Sequence, residues 1–302
     1  MRRGLWKPGV RTARVRDVQC VWTVEAELGE GPFWSAAENA LWFVDIASNR
    51  IHRFDHALGM GRSWPAPGKV SFILPRMGKD FIIGLPGSLA LFEPGSGSVK
   101  IIATVEEDKP RNRLNDACVD ARGRLWFGTM DVDEREATGA LYRWDGQARP
   151  SLQDSGYIIS NGPAFSPDGR YFYMTNTLAR TIYRFEVTED GQLRGKSAFI
   201  VLGPDMGFPD GTTVDAEGCL WIALYGGWAV QRYSPEGKYL EAVRIPCANV
   251  TKLAFGGSGM TTAFVTTARQ GLRPQDILEQ PLAGGLFRFE MQVPGLATAS
   301  IL

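Results

Sequence analysis

One pattern of apolar positions recurs six times along the chain. Leu41–Asp45, Phe81–Leu85, Leu125–Thr129, Tyr171–Thr175, Leu220–Leu224 and Ala263–Thr267 are nearly unbroken runs of aromatic and aliphatic residues. A half-exposed strand alternates apolar with polar residues, so a continuous run of this length predicts a strand covered on both faces. Turn chemistry stands ahead of the runs, as in Asp120-Ala-Arg-Gly123, Pro167-Asp-Gly169 and Asp215-Ala-Glu-Gly218. A second strand phrase follows each run: Ile51-His-Arg-Phe54, Leu89-Ala-Leu-Phe92, Leu141-Tyr-Arg-Trp144, Ile182-Tyr-Arg-Phe185, Val230-Gln-Arg-Tyr233 and Leu286-Phe-Arg-Phe289.

The repeating unit is about 40 to 50 residues, the size of a four-stranded propeller blade. Six units predict an all-β chain folded as a six-bladed β-propeller in a single domain. A β-sandwich needs no near-constant period, and a solenoid uses shorter coils. Length alone, 302 residues, suggests about two domains, but no linker or shift of composition divides the chain. The expected division is an N-terminal extension over 1–19 and the propeller over 20–302. A strand within Cys20–Leu28 is expected to close the ring by joining the last blade.

Composition narrows the function classes. Lys plus Arg and Asp plus Glu number 33 each, so no basic excess points to a nucleic-acid partner. No apolar run approaches the roughly 18 residues that cross a bilayer as a helix, so no membrane partner is expected. Residues 1–19 are Arg-rich without the apolar segment of a secretory signal. They read as a frayed cytosolic extension, with an organelle-type transit segment as the alternative, and the expected location is cytoplasmic. Cys20, Cys118, Cys219 and Cys247 are scattered and read as free thiols.

Several familiar chemistries fall away. The two histidines, His52 and His56, leave little for imidazole-based metal or triad chemistry, and their place beside a strand phrase predicts surface positions. No G-x-S-x-G elbow occurs. Gly191–Ser197 has three residues between its glycines where a phosphate loop needs four, so it reads as a hairpin. Asn249-Val-Thr251 is a glycosylation sequon, relevant only to a secreted chain.

The repeat itself points to a site. Innermost strands of a propeller begin near the axis, where equivalent positions converge. Seven residues back from the middle of each turn stand Glu30, Phe72, Asn115, Asn161, Asp210 and Thr251. Glu30, Asn161 and Asp210 together offer two carboxylates and an amide carbonyl, hard oxygen donors suited to Ca²⁺, Mg²⁺ or Mn²⁺. The bland alternative is that Asn, Asp and Gly merely make turns at the mouths of the blades.

The chain resembles the regucalcin and gluconolactonase family of metal-dependent six-bladed propellers. The resemblance is carried by Gly29-Glu30-Gly31-Pro32, Arg113-Leu114-Asn115-Asp116, Gly128-Thr129-Met130, Ser160-Asn161-Gly162, Phe208-Pro209-Asp210-Gly211, and Thr267-Ala268-Arg269 ahead of Ala283–Phe287. It runs from roughly Glu27 to Phe289, one phrase per blade, and excludes the first nineteen residues. The resemblance implies hydrolysis of a sugar lactone at one divalent metal ion, with Ca²⁺ foremost and Zn, Mn, Mg or Fe as alternatives. It assigns Glu30, Asn161 and Asp210 to the metal, and Arg113 and Asn115 to substrate hydroxyls. Some members place a Glu shortly after Gly-Thr-Met. Here Asp133 stands at that offset, which bears on which sugar is bound.

The residue chemistry is consistent with such a role. Asp210, with one oxygen on the metal and one free, is placed to act as general base on water. Arg113 stays protonated and suits ring hydroxyls or a developing oxyanion; a surface ion pair with Asp116 is the alternative reading. The insertion Met130–Gly139 carries Asp131, Asp133, Glu134 and Glu136 against Arg135. Over the channel mouth it would accept hydrogen bonds from neutral sugars and repel anionic ones; as a solvated hairpin it would do neither. Competing functions are a non-catalytic propeller that binds Ca²⁺ or a partner through its rim, and a propeller hydrolase of non-sugar esters.

Overall fold

The structure, a computed structural model, describes residues 16–302 apart from 79 and 148. Six four-stranded antiparallel sheets stand in a ring, each blade packing against the next and the sixth against the first. The six apolar runs form the second strands, for example Ala40–Asp45, Leu125–Asp131 and Leu220–Tyr225, and these are buried along nearly their whole length. Apolar clusters lie between neighbouring sheets, which is why both faces of those strands are apolar. Trp126 lies 5.2 Å from Phe172 of the next blade, and Trp34 stacks on Phe264 across the first–sixth junction at 5.4 Å.

The turns have a common fastening. Asp120 accepts hydrogen bonds from the backbone N–H groups of Arg122 and Arg124, and from the indole N–H of Trp126 at 2.8 Å. Asp215 does the same for Glu217, Cys219 and Trp221. In both blades one turn carboxylate shapes the hairpin and anchors the central tryptophan of the run that follows.

Closure comes from Gln19–Trp22, which pairs antiparallel with Leu286–Glu290 on the outer edge of the sixth blade. It is shorter than the Cys20–Leu28 window and begins one residue earlier. Most of the expected N-terminal extension, residues 1–15, lies outside the described residues. The Arg16 guanidinium donates to the Glu290 carbonyl at 2.6 Å and pairs with Glu241 at 3.1 Å. All four cysteines are free. Among the described residues no helix is long and apolar enough to cross a membrane.

One expectation fails at His52. Its ring is buried, stacked on Phe43 at 4.8 Å and edge-on to Trp22, and its Nδ1 lies 2.7 Å from Ser63 Oγ. The closing strand supplies Trp22, so a position open in a lone hairpin is covered once the ring shuts. The His52–Ser63 pair is no hydrolase dyad. It sits between the two outer strands of the first blade, and Nε2 has no hydrogen-bond partner among the described residues. Gly191–Ser197 is a turn and the start of the strand Leu193–Val201, as expected. The Asn249 amide is buried and donates to the Gln270 carbonyl at 2.9 Å, so the sequon is not presented.

Candidate active site in the central channel

Five of the six innermost strands enter the channel through an irregularity; the short second-blade strand Ile73–Pro75 pairs without one. In the first blade Glu30 lies opposite Val44, but Phe33 lies opposite Trp42, so one extra residue is inserted between them. The same one-residue bulge occurs at 114–117, 161–164, 209–212 and 250–252. A bulge re-aims side chains that a regular ladder would turn into the neighbouring sheets. Glu30, Asn115, Asn161, Asp210 and Thr251 all stand at or beside these bulges.

Glycine permits the crowding this creates. Gly162 has φ +52°, and a Cβ there would lie 2.6 Å from the backbone N of Thr212. The fourth and fifth blades therefore touch backbone to backbone beside Asn161 and Asp210.

The ligand candidates are buried, with Glu30, Asn161 and Asp210 at 6 %, 4 % and 6 % exposure. A relay orients Asn161: Arg113 Nη1 donates to Asn115 Oδ1 at 2.6 Å, Asn115 Nδ2 donates to Asn161 Oδ1 at 2.9 Å, and Asn161 Nδ2 donates to Thr177 Oγ1 at 3.0 Å. Asn115 Nδ2 also donates to the Ser160 carbonyl at 2.8 Å. Both its polar ends are thus engaged by the protein, and its immediate task here is to hold Asn161. Arg113 also donates through Nη1 to the Leu114 carbonyl, while its Nε and Nη2 make no hydrogen bond among the described residues.

The two carboxylates are poorly supplied with donors. Glu30 accepts only the N–H of its own neighbour Gly31, at 2.8 Å, and Asp210 accepts no hydrogen bond among the described residues. Burial, and then repulsion from Asp116, push the Glu30 carboxyl up to about 7 against the pull of Lys252 and Arg113. Burial, then Glu30 and Asp116, hold Asp210 well above the ordinary carboxylate range. Burial lowers Arg113 to about 10, which leaves it charged at neutral pH.

Two under-donated buried carboxylates beside an oriented amide oxygen fit a hard divalent cation. Among the described residues no three His, Cys, Asp or Glu side chains converge as a ligand group, so the set depends on Asn161 as its third donor.

Sequence reasoning missed Lys252. It is buried on the innermost strand of the sixth blade, and its Nζ pairs with Asp116 of the third. The suggested Arg113–Asp116 surface pair therefore does not form. The available signal was a lysine inside the apolar phrase Val250–Phe255, one residue after Thr251, where blades one, four and five have glycine.

Asp133, the expected substrate contact, is exposed. Its carboxylate pairs with Arg111, while Asp131 caps the turn by accepting the N–H groups of Arg135 and Glu136 at 3.0 Å each. The turn leaves the sheet at Asp131, which pairs with Asn112 next to Arg113. Glu134, rather than Asp133, is the loop acid whose charge acts on Arg113, and it acts on Tyr225 of the fifth blade as well.

A pocket of about 660 Å³ opens at the opposite end of the channel, lined by the turns at 120–124 and 166–170 and by Leu296–Ala299. From those turns its lining runs along the channel to Pro32, Pro163, Thr212 and Lys252, one or two residues from Glu30, Asn161, Asp210 and Thr251.

Residues 28–269 match the family model described as the SMP-30/gluconolactonase/LRE-like region. The chain belongs to this family, and with it to the lactonase-type hydrolases. It is 31% identical to 6-deoxy-6-sulfogluconolactonase of Pseudomonas putida, over 93% of this chain and 97% of that one. It is 32% identical to human regucalcin over 94% and 97%. Its fold superposes with a TM-score of 0.93 on a regucalcin from Agrobacterium tumefaciens described as calcium-binding, at 27% identity, covering 97% of this chain and all of that one.

Proposed function

We propose that this chain hydrolyses a sugar lactone of the gluconolactone type to the aldonic acid, with Glu30, Asn161 and Asp210 holding one divalent cation and Asp210 acting as general base. The observation that carries this reading is the pair of buried carboxylates, nearly without donors, in one layer with an oriented amide and a buried guanidinium. A cation bound there supplies Lewis-acid stabilisation of the negative charge that grows on the lactone carbonyl oxygen. Asp210, ionised when it holds the cation, takes a proton from the attacking water through its second oxygen. Arg113 directs its unengaged Nε and Nη2 donors at substrate hydroxyls. Asn115 keeps the Asn161 oxygen aimed at the cation. The C–O bond to the ring oxygen breaks, that oxygen takes the proton from Asp210 and leaves as a hydroxyl, and the product acid gives a proton to solvent as its carboxylate departs.

A lactone panel followed with a pH indicator tests this. Activity is expected to vanish on full chelation with EDTA and to return with individual metals, Ca²⁺ among them. Activity that survives chelation overturns the cation reading, and cation binding without hydrolysis of any lactone supports a non-catalytic propeller. Glu30→Gln is expected to weaken cation affinity at least about tenfold in titration calorimetry while the cation-free fold persists. Unchanged affinity would take Glu30 out of the site.

Substrate choice follows from charge. The Glu134 charge, which acts on Arg113, disfavours anionic lactones, in contrast to the Pseudomonas relative, which is named for a sulfo-substituted gluconolactone. Neutral aldonolactones are expected to be preferred over uronic or phosphorylated ones. Glu134→Gln is expected to narrow that preference several-fold in kcat/KM, and Asp133→Ala, which frees Arg111, to change it less. Identical kcat/KM ratios in parent and both variants would show that the loop does not read the substrate.

A further inference from the structure

Lys252 and Asp116 join blades on opposite sides of the ring. Lys252 stands on Val250–Gly256 of the sixth blade and Asp116 on Asn112–Val119 of the third, with two blades between them in either direction. Their ammonium and carboxylate meet with side chains 9 % and 3 % exposed. Each end also grips a neighbour of the ligand layer. Asp116 Oδ2 accepts the backbone N–H of Gly162 at 2.9 Å, next to Asn161, and Oδ1 accepts that of Ala117 at 2.7 Å. The Lys252 stem lies so close to Gly211, next to Asp210, that a Cβ on Gly211 would fall 2.4 Å from Lys252 Cγ.

We propose that the Lys252–Asp116 pair is a crossbar under the ligand layer that fixes the backbone around Asn161 and Asp210 and, through its charge, sets how tightly the layer holds a divalent cation. The inference rests on the cation reading above. The electrostatics agree: burial opposes the Lys252 ammonium, but the charge and hydrogen bond of Asp116 outweigh it and keep the lysine protonated. With both ligand carboxylates ionised, as holding a cation requires, Glu30, Asp116 and Asp210 against Arg113 and Lys252 give the layer one net negative charge. Removing the lysine charge leaves two, removing the Asp116 charge leaves none, and removing both restores one. The lysine thus makes the layer a weaker cation trap than its carboxylates alone, in exchange for a fold that does not depend on the cation.

A double-mutant cycle of Lys252→Met, Asp116→Asn and the combined variant tests both halves. In titration calorimetry with Ca²⁺ and with Mn²⁺, Lys252→Met is expected to bind at least about tenfold more tightly and Asp116→Asn at least about tenfold more weakly, with the combined variant close to the parent. Loss of structure alone would weaken both single variants, so opposite signs mark the charge role. In cation-free melting each single variant strands a buried charge and is expected to lose several degrees, whereas the combined variant recovers most of the loss. Weaker binding in both single variants overturns the charge role. Melting losses that simply add in the combined variant overturn the crossbar. A parent that binds neither cation removes the cation reading and the charge role together, while the melting cycle still decides the crossbar.

Discussion

Asp210→Asn is expected to lower kcat at least about 10²-fold while the propeller stays folded. The substitution keeps the side chain's size and removes the carboxylate that would accept the water's proton. Folding should be little affected, because Asp210 accepts no hydrogen bond among the described residues, so no donor is stranded. The cation-free fold should even gain, since one member of a mutually repelling pair is gone. Cation affinity falls as well, so the measurement is kcat on a neutral aldonolactone at a cation concentration that calorimetry shows to be saturating. A kcat within a few-fold of the parent would mean that Asp210 serves only as a ligand.

The blades were legible because their physics is local. A strand covered on both faces must be apolar throughout, and a turn ahead of it needs Asp and Gly; both requirements are written within about ten residues. The channel positions were legible one step removed, through the register of the repeat, and the structure does place Glu30, Asn115, Asn161 and Asp210 at matching bulges. What stayed hidden depends on long-range closure. His52 is covered by Trp22 from the strand that closes the ring. Lys252 finds Asp116 across the channel, 136 residues away. Asp133 sits at the family's offset, but its exposed carboxylate pairs with Arg111, in the turn just ahead of the innermost strand, and Glu134 is the loop acid whose charge acts on Arg113. Offsets along the chain locate a loop; the charges beside it decide which of its acids is drawn into an ion pair.

The largest expected effect on stability is a pH dependence that the cation abolishes. Glu30 holds its proton up to about 7 in the folded, cation-free chain, against an ordinary value of 4.5. Between those values the folded state binds more protons than the unfolded one, so its stability is full below about pH 4.5 and declines as pH rises through 7. A gap of this size corresponds to about 3 kcal/mol, and the raised Asp210 carboxyl acts in the same direction. His52 works with the opposite sign. Burial lowers it to about 4, so the unfolded state takes up its proton first and stability falls as pH drops from about 6.5 toward 4. The two trends overlap, which would blur a single melting curve, but His52 lies in the first blade away from the ligand layer and contributes equally with and without cation. The difference between cation-loaded and cation-free melting temperatures therefore isolates the carboxylates. At constant ionic strength that difference is expected to widen steadily from pH 5 to pH 8, and in Glu30→Gln to stay much flatter. A gap in the parent that holds constant or narrows over that range would show that Glu30 does not exchange a proton for the cation.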